Sequence, residues 1–213
     1  MNHSFFKKVL MASVCGCCFA SAGAQVTLNI DAGQRGPAIG NRHYGIFFEE
    51  INHAGDGGLY AELIQNRSFE DNASNPDKWW TVENATMSLI TDNLLNNVQE
   101  HALRVQFTGN GDGVRNEGFW GINVVNGRTY KVSLWVRSEA GYNGSLYFEL
   151  QNENGDRLGR KAQLVSINSE WKQITAEITA TGDDPKGWFA IKGSKAGTID
   201  IDVVSLFPPT FKD

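Results

Sequence analysis

A chain of 213 residues, 41% hydrophobic and 20% charged, is long enough for one well-filled domain and has none of the composition of a disordered tail. Its formal net charge of −5 and the lack of a Lys/Arg stripe exclude nucleic acid as a partner class, because that binding rests on neutralised phosphates. A complete (β/α)8 barrel needs about 250 residues, so the chain is too short to contain one.

The first 24 residues read as a cleaved leader. Lys7 and Lys8 precede an apolar run from Val9 to Ala20, and Ala22-Gly23-Ala24 supplies small residues for cleavage before Gln25. The run is shorter than the roughly 20 residues a membrane span requires, and no other run reaches that length. These features predict a secreted protein, periplasmic or extracellular, with no membrane span. Cys15, Cys17 and Cys18 all lie in the leader, so no disulfide or cysteine metal site is expected in the mature chain.

From 25 to 70 the pattern is a strand at 26–30, a Gly/Pro-punctuated loop, an apolar run at 44–51, a glycine cluster, and a short piece of helical propensity at 59–66. From 71 to 207 it changes to strands at short spacing, predicted at 86–91, 103–107, 119–125, 130–137, 145–151, 170–179, 187–192 and 198–207. Asn126-Gly127 and Asn154-Gly155 mark turns. The fold class expected is mainly β, an antiparallel β-sandwich.

Two strands alternate with period two. Tyr130, Val132, Leu134 and Val136 form one apolar face, with Trp135 and Arg137 on the other. Leu146, Phe148 and Leu150 point inward, leaving Tyr147, Glu149 and Gln151 outward. Aromatic rings can stack on sugar rings while planar polar groups bond hydroxyls, so Trp135, Arg137, Tyr147, Glu149 and Gln151 are expected to share a sugar-binding sheet face. The Asn116-Glu117 and Asn152-Glu153 pairs are no more than chance allows, and nothing in their spacing suggests that the two glutamates meet.

The stretch Tyr44-Gly-Ile-Phe-Phe-Glu-Glu-Ile-Asn-His-Ala-Gly-Asp-Gly-Gly-Leu-Tyr-Ala-Glu-Leu-Ile-Gln-Asn-Arg-Ser-Phe-Glu70 resembles the N-terminal signature of α-L-arabinofuranosidases of glycoside hydrolase family 51. The sandwich after it resembles the galactose-binding-like, jelly-roll carbohydrate-binding module inserted in some members. The resemblance implies that 25–70 is an N-terminal barrel segment, with the first strand and helix of a (β/α)8 barrel. It also makes 71–207 the binding module and 208–213 a truncated return to the barrel. It implies Glu49 as a ligand of arabinose hydroxyls, and a structural calcium held by Glu70 and Asp202. The acid/base and nucleophile of such enzymes come from later barrel strands, so no catalytic residue, and no cofactor for catalysis, is expected in this chain. The implied function is a part of a secreted enzyme that removes terminal non-reducing α-L-arabinofuranosyl residues. Its expected partners are arabinose-containing polysaccharide and the remainder of the barrel. A stand-alone secreted carbohydrate-binding protein is the alternative.

Overall fold

The computed structural model describes residues 26–40 and 42–209. The leader, its cleavage site, the three cysteines and residues 210–213 lie outside them. The chain divides into two compact units, 1–46 and 47–213. In the described part of the first unit there is neither strand nor helix.

The described residues of the second unit carry eleven strands: β1 (Trp79–Val82), β2 (Thr86–Ile90), β3 (Ala102–Phe107), β4 (Gly113–Asn116), β5 (Ile122–Val124), β6 (Thr129–Arg137), β7 (Ser145–Gln151), β8 (Arg157–Leu164), β9 (Lys172–Thr179), β10 (Asp184–Gly193) and β11 (Gly197–Phe207). They pair antiparallel in two sheets. One runs β1-β4-β10-β7-β8 with β5 also on β10, and the other runs β2-β3-β11-β6-β9. The alternation read at 130–137 and 145–151 is what builds the interior. Leu134, Val136, Leu146, Phe148 and Leu150 meet Phe189, Ile191, Ile199 and Ile201 in one core, as facing sheets do when each strand buries every second side chain.

Two of the expected turns form as read. Gly127 and Gly155 take φ of 77° and 90°, a region a side chain resists. Three strands carry no legible pattern. β1 and β4 are only four residues long, and β8 (Arg-Leu-Gly-Arg-Lys-Ala-Gln-Leu) alternates too weakly to register.

The expected barrel strand and helix do not form. Residues 44–51 lie in no strand, and Ile46 and Phe47 are more than four-fifths exposed. A barrel strand is held by parallel neighbours on both sides, and none pairs with it among the described residues. The stretch 59–66 is irregular. Eight residues are too few to hold a helix by local hydrogen bonds, and here the backbone finds better partners in the sandwich. Leu63 N–H donates to Leu206 O at 3.0 Å, and Val204 N–H to Arg67 O at 2.9 Å. Ile64 and Phe69 are fully buried in the core.

The anchor of this segment is Glu62, which has no exposed surface. Its carboxylate accepts from Ile64 N–H at 3.0 Å, Leu206 N–H at 2.9 Å and the Ser205 hydroxyl at 2.7 Å, with Arg67 at 3.9 Å. The donors become available because β11 breaks register between Asp202 and Ser205, where Val203 takes φ of 46°. A bulge leaves backbone groups unpaired in the ladder, and Glu62 and the neighbouring backbone fill them.

Candidate functional site

β6 and β7 belong to different sheets. The outer faces of a sandwich look away from each other, so the single sugar face expected from these two strands is split. Trp135 and Arg137 lie on the outside of the five-stranded sheet. Tyr147, Glu149 and Gln151 lie on the outside of the six-stranded one.

Arg137 is not a free surface residue. Its side chain is 5% exposed, 2.9 Å from Asp200 and 3.0 Å from Glu139. Arg104 reaches the same Asp200 at 2.7 Å, and that carboxylate raises the Arg104 guanidinium above its usual range. Arg104, Gln106, Glu139, Thr198 and Asp200 line a hollow of about 560 Å3 on this face. Trp135, partly exposed, sits in register between Asp202 and Gln173.

The six-stranded face carries the denser aromatic chemistry. Cross-strand register sets Trp80, Arg115, Ala190, Glu149 and Arg160 side by side across β1, β4, β10, β7 and β8. Trp188 pairs with Gln151 and Lys192 with Tyr147, one step to either side. Trp80 and Trp188 meet edge to face at 5.1 Å, and the Arg115 guanidinium lies 4.3 Å over the Trp188 ring. Arg160 stacks on Tyr147 at 3.5 Å. Glu149 is 5% exposed and Gln151 3%, so neither projects as the alternation predicts. Glu149 receives Arg160 at 3.2 Å, Lys192 at 3.6 Å and Gln151 Nε2 at 3.1 Å. A carboxylate that is nearly buried keeps its charge only with such partners.

Beyond Trp188 the face opens into a small cavity of about 160 Å3 lined by Glu117, Trp120, Gly121, Glu153, Lys186 and Trp188. Trp120 is 64% exposed and packs on Phe119 and His53. The two glutamates thus line one cavity, although nothing in their spacing along the chain suggests it. The asparagine beside each one makes local bonds. Asn116 donates to the backbone carbonyls of Gln65 and Lys78, and Asn152 closes a turn on Asp156. Glu117 is paired with Lys78 at 3.2 Å.

Trp80, Arg115, Trp120 and Trp188 were not anticipated. Trp188 had a signal, since it alternates with the buried Phe189 and Ile191 as Tyr147 does with Phe148. Arg115 had none, because β4 is too short to show a period.

The remaining expected site residues lie apart from this face. Glu49 is exposed on the irregular stretch after Phe48. Asp202 is fully buried: one oxygen accepts from Val203 N–H at 2.6 Å, and Oδ2 is buried with no partner. Burial first, and then the charge of Glu70, push the Asp202 carboxyl up to about 7 against the opposing pull of Val203 N–H and Arg67. Glu70 accepts from the backbone of Glu100 and His101 and lies 2.8 Å from the His101 ring. Partial burial works against ionisation of Glu70, but those bonds hold its carboxyl below the usual range. Glu70, Glu100 and His101 place ligand atoms within 4.8 Å of one another.

Comparison with known proteins fits this geometry. The extracellular exo-α-L-arabinofuranosidase of Streptomyces chartreusis is 37% identical over 188 residues, covering 85% of this chain and 22% of its own length. α-L-Arabinofuranosidase 1 of Arabidopsis thaliana is 36% identical, covering 86% of this chain and 29% of its own. The arabinose-bound α-L-arabinofuranosidase MgGH51 superposes with a TM-score of 0.71 at 35% identity, over 79% of this chain and 30% of that one. The chain thus spans between a fifth and a third of the length of these arabinofuranosidases, and the resemblance to α-L-arabinofuranosidases read at 44–70 holds. A Clostridium thermocellum CBM22-1–GH10 fragment of xylanase 10B shares the fold at a TM-score of 0.51 and 17% identity, over 70% of this chain and 29% of that one. The family model described as a carbohydrate binding domain matches residues 61–198. With two antiparallel sheets and an aromatic outer face spanning that range, the chain belongs to the carbohydrate-binding domain family.

Proposed function

We propose that the chain binds polysaccharide on the outer face of its six-stranded sheet, through Trp80, Trp188 and Tyr147, with Trp120 extending the site. The observation that carries the reading is the tryptophan pair Trp80–Trp188 on a face that also presents polar groups. Indole faces stack on sugar rings, and guanidinium, amide and carboxylate groups bond hydroxyls. Residues Glu149 and Gln151 keep a part in it as the polar floor. Trp135 and Arg137, on the opposite side, form no part of it.

In this reading the polysaccharide is arabinose-containing, and the chain is one portion of a secreted α-L-arabinofuranosidase that starts with the leader 1–24. Residues 25–70 and 208–213 belong to a barrel, with 62–69 also filling the sandwich core. The exposed Tyr44, Ile46, Phe47 and Phe48 then face barrel neighbours, and Glu49 bonds arabinose hydroxyls there. The strand-poor 44–51 stretch gives equal room to a stand-alone binder that uses only the sandwich.

Calcium joins Glu70 to Asp202 in this proposal. The orphaned buried Oδ2 of Asp202, next to a second carboxylate, suits a hard cation that takes six to eight oxygens. When bound, the ion would neutralise the pair and tie the final strand to the start of the sandwich.

Affinity gel electrophoresis in arabinan and arabinoxylan tests the face. One stacked ring contributes on the order of 1 kcal/mol, so Trp188→Ala should lose about fivefold or more in affinity while Trp135→Ala migrates as the parent does. Retardation lost in Trp135→Ala and kept in Trp188→Ala would put the site on the other sheet.

A further inference from the structure

We propose that Arg115 makes this face selective for polysaccharides that carry isolated uronate branches on an otherwise neutral backbone. The inference rests on the binding reading above and refines its ligand.

The argument is one of charge and of unfilled bonds. In a chain of formal net charge −5, the centre of this face is cationic. Arg115, Arg160 and Lys192 stand there against the single carboxylate Glu149. Arg160 and Lys192 both lean on Glu149, at 3.2 and 3.6 Å. Arg115 lies outside that cluster. Among the described residues no hydrogen bond or ion pair reaches it, and its Nε is buried without an acceptor. Its one contact of note is the Trp188 ring 4.3 Å below.

The ring contact holds the guanidinium beside the indole, and its two terminal Nη groups have no partner among the described residues. A planar fork held this way matches a carboxylate, which takes two parallel N–H···O bonds. Trp188 and Trp80 sit beside it, so a sugar ring on the indoles would bring a pendant carboxylate to Arg115. A neutral hydroxyl could bond the same N–H groups but would leave the charge uncompensated.

The same face argues against a continuous polyuronate. Glu149 inside the row and Glu117 and Glu153 at its end would repel carboxylates carried on every sugar. A branch that presents one carboxylate among neutral residues satisfies Arg115 without meeting those three.

The test is isothermal titration of the full chain with glucuronoarabinoxylan, with the same polysaccharide after reduction of its carboxyl groups to alcohols, and with polygalacturonate. A bond to a charged partner should make the native polymer bind about tenfold more tightly than the reduced one, and the difference should shrink at high ionic strength. Arg115→Gln should bind both forms as the parent binds the reduced one, which also shows that the variant is folded, while Arg115→Lys should keep part of the preference. Equal affinity of the parent for native and reduced polymer would overturn the inference and leave the binding face standing. Tighter binding of polygalacturonate would overturn the branch assignment. No binding of any neutral or acidic polysaccharide would remove the face itself.

Discussion

Asp202 offers the sharpest test of how burial and a neighbouring charge act in this sandwich. The unfolded chain releases its proton near 3.8, whereas the folded chain holds it to about 7. Between these values the folded state keeps a proton that the unfolded state has given up. The stability contributed by this group is therefore complete below about pH 4 and lost as pH rises through 7. Three pH units correspond to about 4 kcal/mol, and relaxation around a buried site trims this to about 2 kcal/mol. Asp202→Asn keeps an acceptor for Val203 N–H and removes the charge, at a cost of about 1 kcal/mol for an unpartnered amide. In chelator the difference between parent and variant in urea unfolding isolates this residue from the other carboxylates, among them Glu70, Asp112 and Asp184, whose lowered values act in the opposite direction. The variant should be the more stable protein at pH 7.5 by about 1 kcal/mol, and should lose that advantage by pH 4.5. Calcium at pH 7.5 should stabilise the parent and leave the variant unchanged. Parallel parent and variant stability curves from pH 4.5 to 7.5 would refute the assignment of a strained buried carboxylate.

Two other outcomes follow from the described geometry. Glu62→Ala strands the Leu206 and Ile64 N–H groups and the Ser205 hydroxyl in a dry interior, and should cost about 3 kcal/mol in chemical denaturation; a loss under 1 kcal/mol would mean that water replaces the carboxylate. Residues 25–213 should leave an aryl α-L-arabinofuranoside intact, since retention needs one protonated and one ionised carboxyl about 5–5.5 Å apart on a rigid frame. Turnover abolished by Glu117→Gln or Glu153→Gln would instead place chemistry in the cavity beside Trp120 and Trp188.

What could be read from the residues was decided by period and length. β6 and β7 were legible because nine and seven residues show alternation without ambiguity, and the core they build follows from it. Alternation says which side of its own strand a residue occupies, but not which sheet the strand joins. Alternation alone therefore puts Trp135 and Tyr147 together, although pairing of β6 with β11 and of β7 with β10 sends them to opposite sides. Outward position likewise does not fix exposure. Arg137 and Glu149 point away from the core and are buried all the same, because opposite charges on adjacent strands draw them down. Leu59–Asn66 misled for another reason: its local propensity is helical, but the bulge of β11 offers it hydrogen bonds that an isolated turn of helix cannot match.

The stitching of 62–69 into the β11 bulge bears on how portable this module is. A piece cut at residue 71 would discard Ile64 and Phe69, both fully buried, and would leave the kink at Val203 with no backbone to meet. The family match begins at 61, one residue before Glu62. At the other end the match stops at 198, yet β11 continues to Phe207 as the middle strand of its sheet. A gene fusion that borrows this binding unit should therefore carry residues from about 60 to 207, as a cassette whose two ends lie side by side and are fastened through a single glutamate.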